Sequence, residues 1–182
     1  LEELAASDPR NRDLQFFLGE TYVAQSKFDE AEKLYRKSLE DRTSSEAYLG
    51  LASIYRKQNK AKELIENLGR ALDRVSDPEG ASQLFEAELK AIGEDKKLFE
   101  ATVEALREMT KGGARKEHFA GAFLLAGVAA EHEKIDVAVE LYDLALKANP
   151  AKAEQILLGK ADAQLEAKRF ADAAATYLQA LN

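Results

Sequence analysis

Several residue types are absent or scarce in this chain of 182 residues. It has no cysteine, which excludes a disulfide framework, a thiolate nucleophile and a cysteine-ligated metal site. The β-branched residues are few, with 6 Val, 5 Ile and 5 Thr. Because these residues are the usual strand formers, their scarcity argues against a sheet protein.

Long apolar runs and basic clusters are also missing. The longest apolar stretch, residues 119–130, is interrupted by glycines and is shorter than the roughly 18 residues that a membrane-spanning helix requires. Acidic residues outnumber basic ones by 33 to 26, giving a net charge of −7. Nucleic-acid binding needs a concentrated basic face, so the composition disfavours it.

Alanine and leucine dominate the composition, with 32 Ala and 25 Leu. Both residues have high helix propensity. Charged residues make up 32% of the chain and hydrophobic residues 46%, which is typical of a globular protein. The composition therefore predicts an all-α fold.

The chain repeats itself with a period near 34 residues. A shift of 33 places Tyr22 on Tyr55, and near the other end a shift of 35 places Tyr142 on Tyr177. Each unit contains two amphipathic segments separated by a short polar turn. Since a two-helix unit cannot bury its apolar face alone, such units must stack on one another.

A period near 34, with small and aromatic residues at helical spacing, resembles the tetratricopeptide repeat. In the first copy the matching residues are Leu18, Gly19, Tyr22, Phe28, Ala31 and Tyr35. In the fourth and fifth copies they are Ala126, Ile135, Ala138, Tyr142, Ala145, Leu146, Pro150, Ala161, Phe170, Ala173, Tyr177, Ala180 and Leu181. The third copy keeps only the apolar rhythm. The resemblance implies a right-handed superhelical solenoid of about five antiparallel helix pairs.

The expected organisation is a single repeat array over residues 1–182 that is a fragment of a longer protein. The repeats are placed at about 11–43, 44–77, 78–114, 115–150 and 151–182, with 1–10 as the end of a preceding repeat. The predicted helices are 11–25, 28–40, 44–57, 60–74, 79–92, 95–110, 115–131, 134–147, 151–166 and 169–181. Asp13, the pair Ser44–Ser45 and Asp95 are the predicted N-cap positions, because short polar side chains accept the free amides of a first turn.

The spacing between the third and fourth copies is about 40 residues, and the extra residues fall within 110–116. Two adjacent glycines, Gly112 and Gly113, indicate a turn there. Three interpretations remain open. The segment is a longer inter-repeat loop, an anion site in which Lys111, Arg115 and Lys116 flank free amides at a helix start, or a change in superhelical bend.

Catalytic constellations are hard to build from this sequence. His118 and His132 fall on one predicted helix, roughly 21 Å apart along its axis, which is too far to share a metal ion. The nucleophile-elbow, zinc-protease and dinucleotide-binding motifs do not occur. We therefore expect no enzyme activity, no cofactor and no metal.

The resemblance implies that the first helix of each pair lines a concave groove. Some members of the family grip a carboxylate there with basic and amide groups, but Phe16, Glu20, Leu49 and Ser53 stand at those positions here. The apolar residues of the stripe suit an apolar or amphipathic segment instead. The predicted groove residues are Phe16, Phe17, Glu20, Leu49, Ser53, Arg56, Gln83, Phe123, Gly127, Leu158 and Asp162.

The sequence therefore predicts a non-catalytic scaffold that binds a peptide or helical segment of a partner protein in its concave groove. The alternative is a structural module that packs within a larger protein or forms homo-oligomers through its terminal helices. No polar capping helix follows Leu181, and terminal repeats normally need a polar outer face.

Overall fold

The structure is a computed structural model that describes residues 2–8, 11–41, 44–74, 83 and 85–181. Within these ranges the regular structure is helical, with eleven α-helices and no strand. The helices are α1 (Glu2–Ser7), α2 (Arg12–Ala24), α3 (Phe28–Asp41), α4 (Ser45–Lys57), α5 (Ala61–Arg74), α6 (Glu86–Glu94), α7 (Lys96–Thr110), α8 (Phe119–Glu131), α9 (Ile135–Ala148), α10 (Ala153–Glu166) and α11 (Phe170–Ala180). Short 3₁₀ turns at Lys116–His118 and Pro150–Lys152 precede α8 and α10.

The helices form five pairs that stack into a right-handed superhelical solenoid, which confirms the predicted fold class. The pairs are α2–α3, α4–α5, α6–α7, α8–α9 and α10–α11. At both ends of the array the second helix of a pair packs on the first helix of the next, α3 on α4 and α9 on α10. No helix of the described residues is long and apolar enough to cross a membrane.

Close packing in the first half of the array depends on two glycines. The Tyr35 ring on α3 is buried between α2 and α4. A Cβ atom on Gly19 would lie 2.4 Å from this ring, and one on Gly50 would lie 2.3 Å from it. The corresponding ring of Tyr142 faces Gly159 more loosely, at 3.1 Å from an ideal Cβ. Small residues thus let large aromatic rings fill the space between neighbouring pairs.

Two of the three predicted helix caps are confirmed. The Ser44 side chain accepts the amide of Ala47, and the Asp95 carboxylate accepts the amides of Lys97 and Leu98.

The prediction for Asp13 is wrong, since Asn11 caps α2 by accepting the Leu14 amide at 3.2 Å and Asp13 lies in the first turn. Asparagine and aspartate are equally good caps. Because α2 begins at Arg12, Asn11 and not Asp13 stands at the cap position.

The histidines do not share one helix, contrary to the prediction. His118 ends the 3₁₀ turn and is buried, whereas His132 follows the last residue of α8. Helix α8 accordingly begins at Phe119 and not at 115. In the third pair, α6 (Glu86–Glu94) overlaps the predicted helix 79–92, and Gln83 is also helical; residues 79–82 and 84, which include the predicted start, lie outside the described part.

The third pair departs from regular stacking. Helix α5 packs against both α7 and α8. An ideal Cβ on Gly121 of α8 would lie 2.7 Å from Cγ2 of Ile65, and one on Gly69 of α5 would lie 3.3 Å from the Glu117 carbonyl oxygen. The longer connection before α8, where Gly113 has φ of 112°, thus leads into a direct contact between α5 and α8.

Candidate functional site

A cleft of about 550 Å³ lies between α6 and α8, the first helices of the third and fourth pairs. This volume falls within the range of ligand-binding pockets. Its floor is apolar and includes Leu89, Leu124 and Val128, which the two helices bury against each other. Gly127 adds no side chain, and an ideal Cβ there would meet nothing within 4 Å. The cleft is therefore open at the level of Gly127.

Aromatic rings form one wall of the cleft. The Phe123 ring centroid lies 5.7 Å from that of Phe119 and 5.9 Å from that of Tyr142, the latter in an edge-to-face arrangement. Such pairs are favourable geometries for aromatic side chains. The Phe123 ring is thus held in place while part of its surface stays accessible.

The rim of the cleft is mainly acidic. Glu86, Glu94 and Glu131 contribute three carboxylates, and Lys90 lies with its Nζ 3.9 Å from Glu94. His132 closes one end, where its ring packs so tightly on Gly93 that an ideal Cβ there would lie 2.1 Å from Nε2.

Tyr142 borders the cleft with only 6% of its surface exposed, and its hydroxyl has no hydrogen-bond partner among the described residues. At the corresponding positions Tyr35 donates to Glu20 at 3.1 Å and Tyr177 donates to Asp162. In both cases the acceptor stands 15 residues before the tyrosine. The same offset from Tyr142 leads to Gly127, which has no acceptor to offer.

The surroundings of the Tyr142 hydroxyl disfavour negative charge. Burial raises the pKa of Tyr142 to about 12, and the carboxylates of Asp162, Glu131 and Glu166 act in the same direction. The hydroxyl is therefore a neutral donor at any physiological pH.

The structure brings three of the predicted groove residues together in the cleft, namely Gln83, Phe123 and Gly127. Phe16 packs 6.4 Å from the Tyr35 ring, whereas Phe17 and Leu158 are exposed on α2 and α10. The remaining predicted residues outside the cleft are Glu20, Leu49, Ser53, Arg56 and Asp162.

Several of these other residues are engaged within the chain. Arg56 pairs with Glu88 at 2.5 Å, and the carboxylates of Glu20 and Asp162 accept tyrosine hydroxyls. Leu49 and Ser53 are partly buried. These side chains therefore contribute mainly to interactions within the array.

The prediction missed Leu89, Glu86 and Tyr142 as cleft residues. From the sequence, Tyr142 is identified only as a residue that matches the repeat, although the pattern contains a further indication. A carboxylate stands 15 residues before the equivalent tyrosines of the first and fifth copies, and a glycine takes its place in the fourth.

A second cavity of about 490 Å³ lies against α5 and the 3₁₀ turn. Its cations pair with carboxylates of the chain: Arg70 with Glu66 at 3.8 Å, and Arg115 with Glu117 at 2.8 Å. Lys111 of the connection pairs with Glu108. The charges that the anion-site interpretation requires are thus largely used within the chain.

Residues that could hold a metal ion do not cluster. Over the described ranges there is no group of three or more histidine, aspartate or glutamate side chains with suitable placement.

Sequence comparison identifies the repeats. The sequence model of the tetratricopeptide repeat matches residues 1–47, 18–63 and 123–181, which together span more than half of the chain. The chain belongs to the tetratricopeptide-repeat family. Members of this family generally mediate protein–protein interactions and are generally non-catalytic scaffolds. No curated protein sequence matches the chain.

Three solved structures align with most of the chain at low sequence identity. PilF of Pseudomonas aeruginosa is 22% identical, with 93% of this chain and 76% of that chain covered and a TM-score of 0.40. TTC0263 of Thermus thermophilus, a thermophilic TPR protein, is 20% identical, with coverage of 93% and 89% and a TM-score of 0.38. BtubC from P. vanneervenii is 18% identical, with coverage of 98% and 83% and a TM-score of 0.43.

Proposed function

We propose that this tetratricopeptide-repeat chain is a non-catalytic scaffold that binds a peptide or helical segment of a partner protein along its concave face. The cleft between α6 and α8 carries the proposal. It combines an apolar floor, an accessible aromatic wall at Phe123 and an open position at Gly127.

In this proposal the other first helices extend the binding surface. Phe17 on α2 and Leu158 on α10 are exposed large apolar residues on helices of the same class as α6 and α8. An extended or helical segment could place one side chain in the cleft and further apolar side chains on these residues, as in groove recognition of amphipathic segments.

Blocking the cleft tests the proposal. A random peptide library displayed on phage is selected on the wild-type chain, and selected peptides are measured by isothermal titration calorimetry. Gly127→Leu adds a side chain at the open position of the cleft, where an ideal Cβ meets no atom within 4 Å. We expect it to weaken binding by at least about tenfold, which corresponds to about 1.4 kcal/mol.

Gly112→Leu is the matched control, because Gly112 also has open space around it but lies in the exposed connection before α8. It should leave the affinity unchanged. Unaltered binding by a folded Gly127→Leu variant would remove the cleft from the proposal.

A second candidate function is self-association through the C-terminal end of the array. Four large apolar side chains are exposed there, with Phe170 at 63% and Leu181 at 83%; the set is Leu165, Phe170, Leu178 and Leu181. Exposed apolar patches mark interaction surfaces. Sedimentation velocity over a concentration series should show dimers or larger species that Phe170→Asp weakens, and a strictly monomeric chain would contradict this candidate.

A further inference from the structure

We infer that the cleft between α6 and α8 selects a peptide segment in which a lysine or arginine stands next to an apolar residue, and that Tyr142 donates its hydroxyl to a main-chain carbonyl of that segment. This inference rests on the groove binding proposed above and specifies the chemistry of the ligand.

The first observation is the hydroxyl of Tyr142, which donates to no described residue. Its side chain is more than nine-tenths buried, it borders the cleft, and its hydroxyl lacks an acceptor among the described residues. Tyr35 and Tyr177 show that this repeat position is completed by an oxygen acceptor in the neighbouring first helix. With Gly127 in that place, the first helix offers no side-chain acceptor to this hydroxyl. Among the described residues, the buried side-chain polar atoms that lack a partner do not include the Tyr142 hydroxyl oxygen, so water reaches it, and a carbonyl of a bound segment can take the place of that water.

The second observation is the charge around the cleft. Lys90 lies close to Glu94, but Glu86 and Glu131 have no ion pair with any described residue. The carboxylates of Asp162 and Glu166, on α10, also raise the pKa of Tyr142. Carboxylates outnumber the single lysine around the cleft, and this excess of negative charge attracts a cation and repels a carboxylate. The acceptor for Tyr142 is therefore a neutral carbonyl, and the charged group of the segment is basic.

The third observation is the apolar floor. The aliphatic part of a lysine or arginine side chain can lie along Leu89 and Val128 while its charged end reaches Glu131 on the rim. The accessible ring of Phe123 adds a face on which a cation is favourably placed. The open space at Gly127 accommodates the neighbouring apolar side chain of the segment.

A purely apolar segment would leave the rim carboxylates without partners, and an acidic segment would meet Glu86 and Glu131 directly. Both are outcomes that the experiment below can return.

The test compares charged and neutral versions of one peptide. Peptides selected from the displayed library are synthesised with their basic residue intact and with it replaced by an uncharged analogue, citrulline for arginine or norleucine for lysine. Calorimetry measures both versions on the wild type and on two variants, Glu131→Gln and Tyr142→Phe. Glu63→Gln and Tyr55→Phe are the matched controls, since neither residue borders the cleft.

We expect the selection to enrich lysine and arginine beside an apolar residue. Glu131→Gln should weaken the binding of the basic peptide about fivefold to tenfold. It should weaken the binding of the neutral analogue less than about twofold, because only the basic peptide loses an ion pair. Tyr142→Phe should weaken both versions equally, by about fivefold, since a main-chain carbonyl is present in both. The controls should change neither.

The two proposals fail in different ways. In one contradicting result, peptides lose their affinity on Gly127→Leu and yet show no preference for a basic residue. In another, Glu131→Gln weakens the binding of the basic peptide and of its neutral analogue equally. Either result is compatible with groove binding and overturns this inference. Enrichment of acidic peptides at the cleft overturns it as well. If no peptide binds at the cleft, both proposals are overturned.

Discussion

Tyrosine hydroxyls connect neighbouring helices through carboxylates at several places in the array. Tyr35 donates to Glu20, and Tyr55 donates to Glu32 at 3.0 Å. These bonds fix the rotation of the ring and with it the distance between helix pairs. Where the carboxylate is missing, as at Tyr142, the ring still packs and lines the cleft, and its hydroxyl oxygen lies 3.1 Å from an ideal Cβ on Gly159 of α10.

Two glycine-to-alanine substitutions should have opposite effects on stability. Gly50→Ala would place Cβ 2.3 Å from the buried Tyr35 ring, and overpacking of this kind typically costs about 1–3 kcal/mol. Gly127→Ala meets no atom within 4 Å in the middle of α8 and should stabilise the chain by up to about 1 kcal/mol through helix propensity. Urea unfolding followed by circular dichroism measures both.

The comparison is internally controlled, because the two variants carry the same chemical change on first helices of different pairs. Equal free energies of unfolding for the two would show that Tyr35 does not depend on a glycine at position 50.

The buried ring of His118 should make stability depend on pH. It is 3% exposed and its Nδ1 accepts the Arg115 amide at 3.1 Å, so the neutral form is required. Burial lowers the pKa of His118. Its contribution is therefore complete above the unfolded pKa of about 6.5, and it decreases as pH falls, because the unfolded chain takes up a proton that the folded chain resists.

Urea unfolding between about pH 7.5 and about pH 5.5 measures this dependence. His118→Gln should reduce the loss of stability on acidification, whereas His132→Gln keeps the buried ring of His118 and should retain it. A His118→Gln variant with the wild-type pH dependence would contradict the assignment.

At the scale of the elements, a bidentate ion pair joins the second helices of the third and fourth pairs. Arg107 on α7 reaches both carboxylate oxygens of Glu140 on α9, at 2.8 and 2.7 Å, which lowers the pKa of Glu140. A double-mutant cycle with Arg107→Ala and Glu140→Ala should give a coupling energy of about 0.5–1 kcal/mol, as for partly exposed pairs.

That coupling should weaken as salt is added, because exposed charges are screened. A coupling energy near zero at low salt would mean that the pair does not hold α7 against α9.

Short-range sequence patterns predicted features that depend on neighbouring residues, such as the helix caps. Ser44 and Asp95 stand before helices and cap them, since capping depends only on residues within one turn. The contact between α5 and α8 could not be predicted, because it depends on how a degenerate third pair packs rather than on any local pattern. In the cleft, Phe123 and Gly127 were predicted from the repeat, whereas Leu89 and Glu86 lie on the first helix of the degenerate third copy, which keeps only the apolar rhythm of the repeat.

At the scale of the whole molecule, contacts run mainly between neighbouring helices. Helix α1 packs on α2 at one end, and at the other α10 packs on α11 and on α8 and α9 of the preceding pair. In such an array stability is close to a sum of local terms, so the ends open more readily than the centre.

Hydrogen–deuterium exchange should therefore be fastest in α1 and α11 and slowest in α4, α5 and α8. Uniform exchange of all helices through one global opening would contradict this ranking.

The central claim is that the concave cleft between α6 and α8 is the surface that recognises a partner segment. Amide chemical-shift mapping by ¹H–¹⁵N nuclear magnetic resonance with a selected peptide tests it most directly. We expect the largest shifts at Leu89, Gly127 and Glu131, and their loss in Gly127→Leu. Shifts centred instead on the exposed end around Phe170 and Leu181, with the cleft unaffected, would contradict the account.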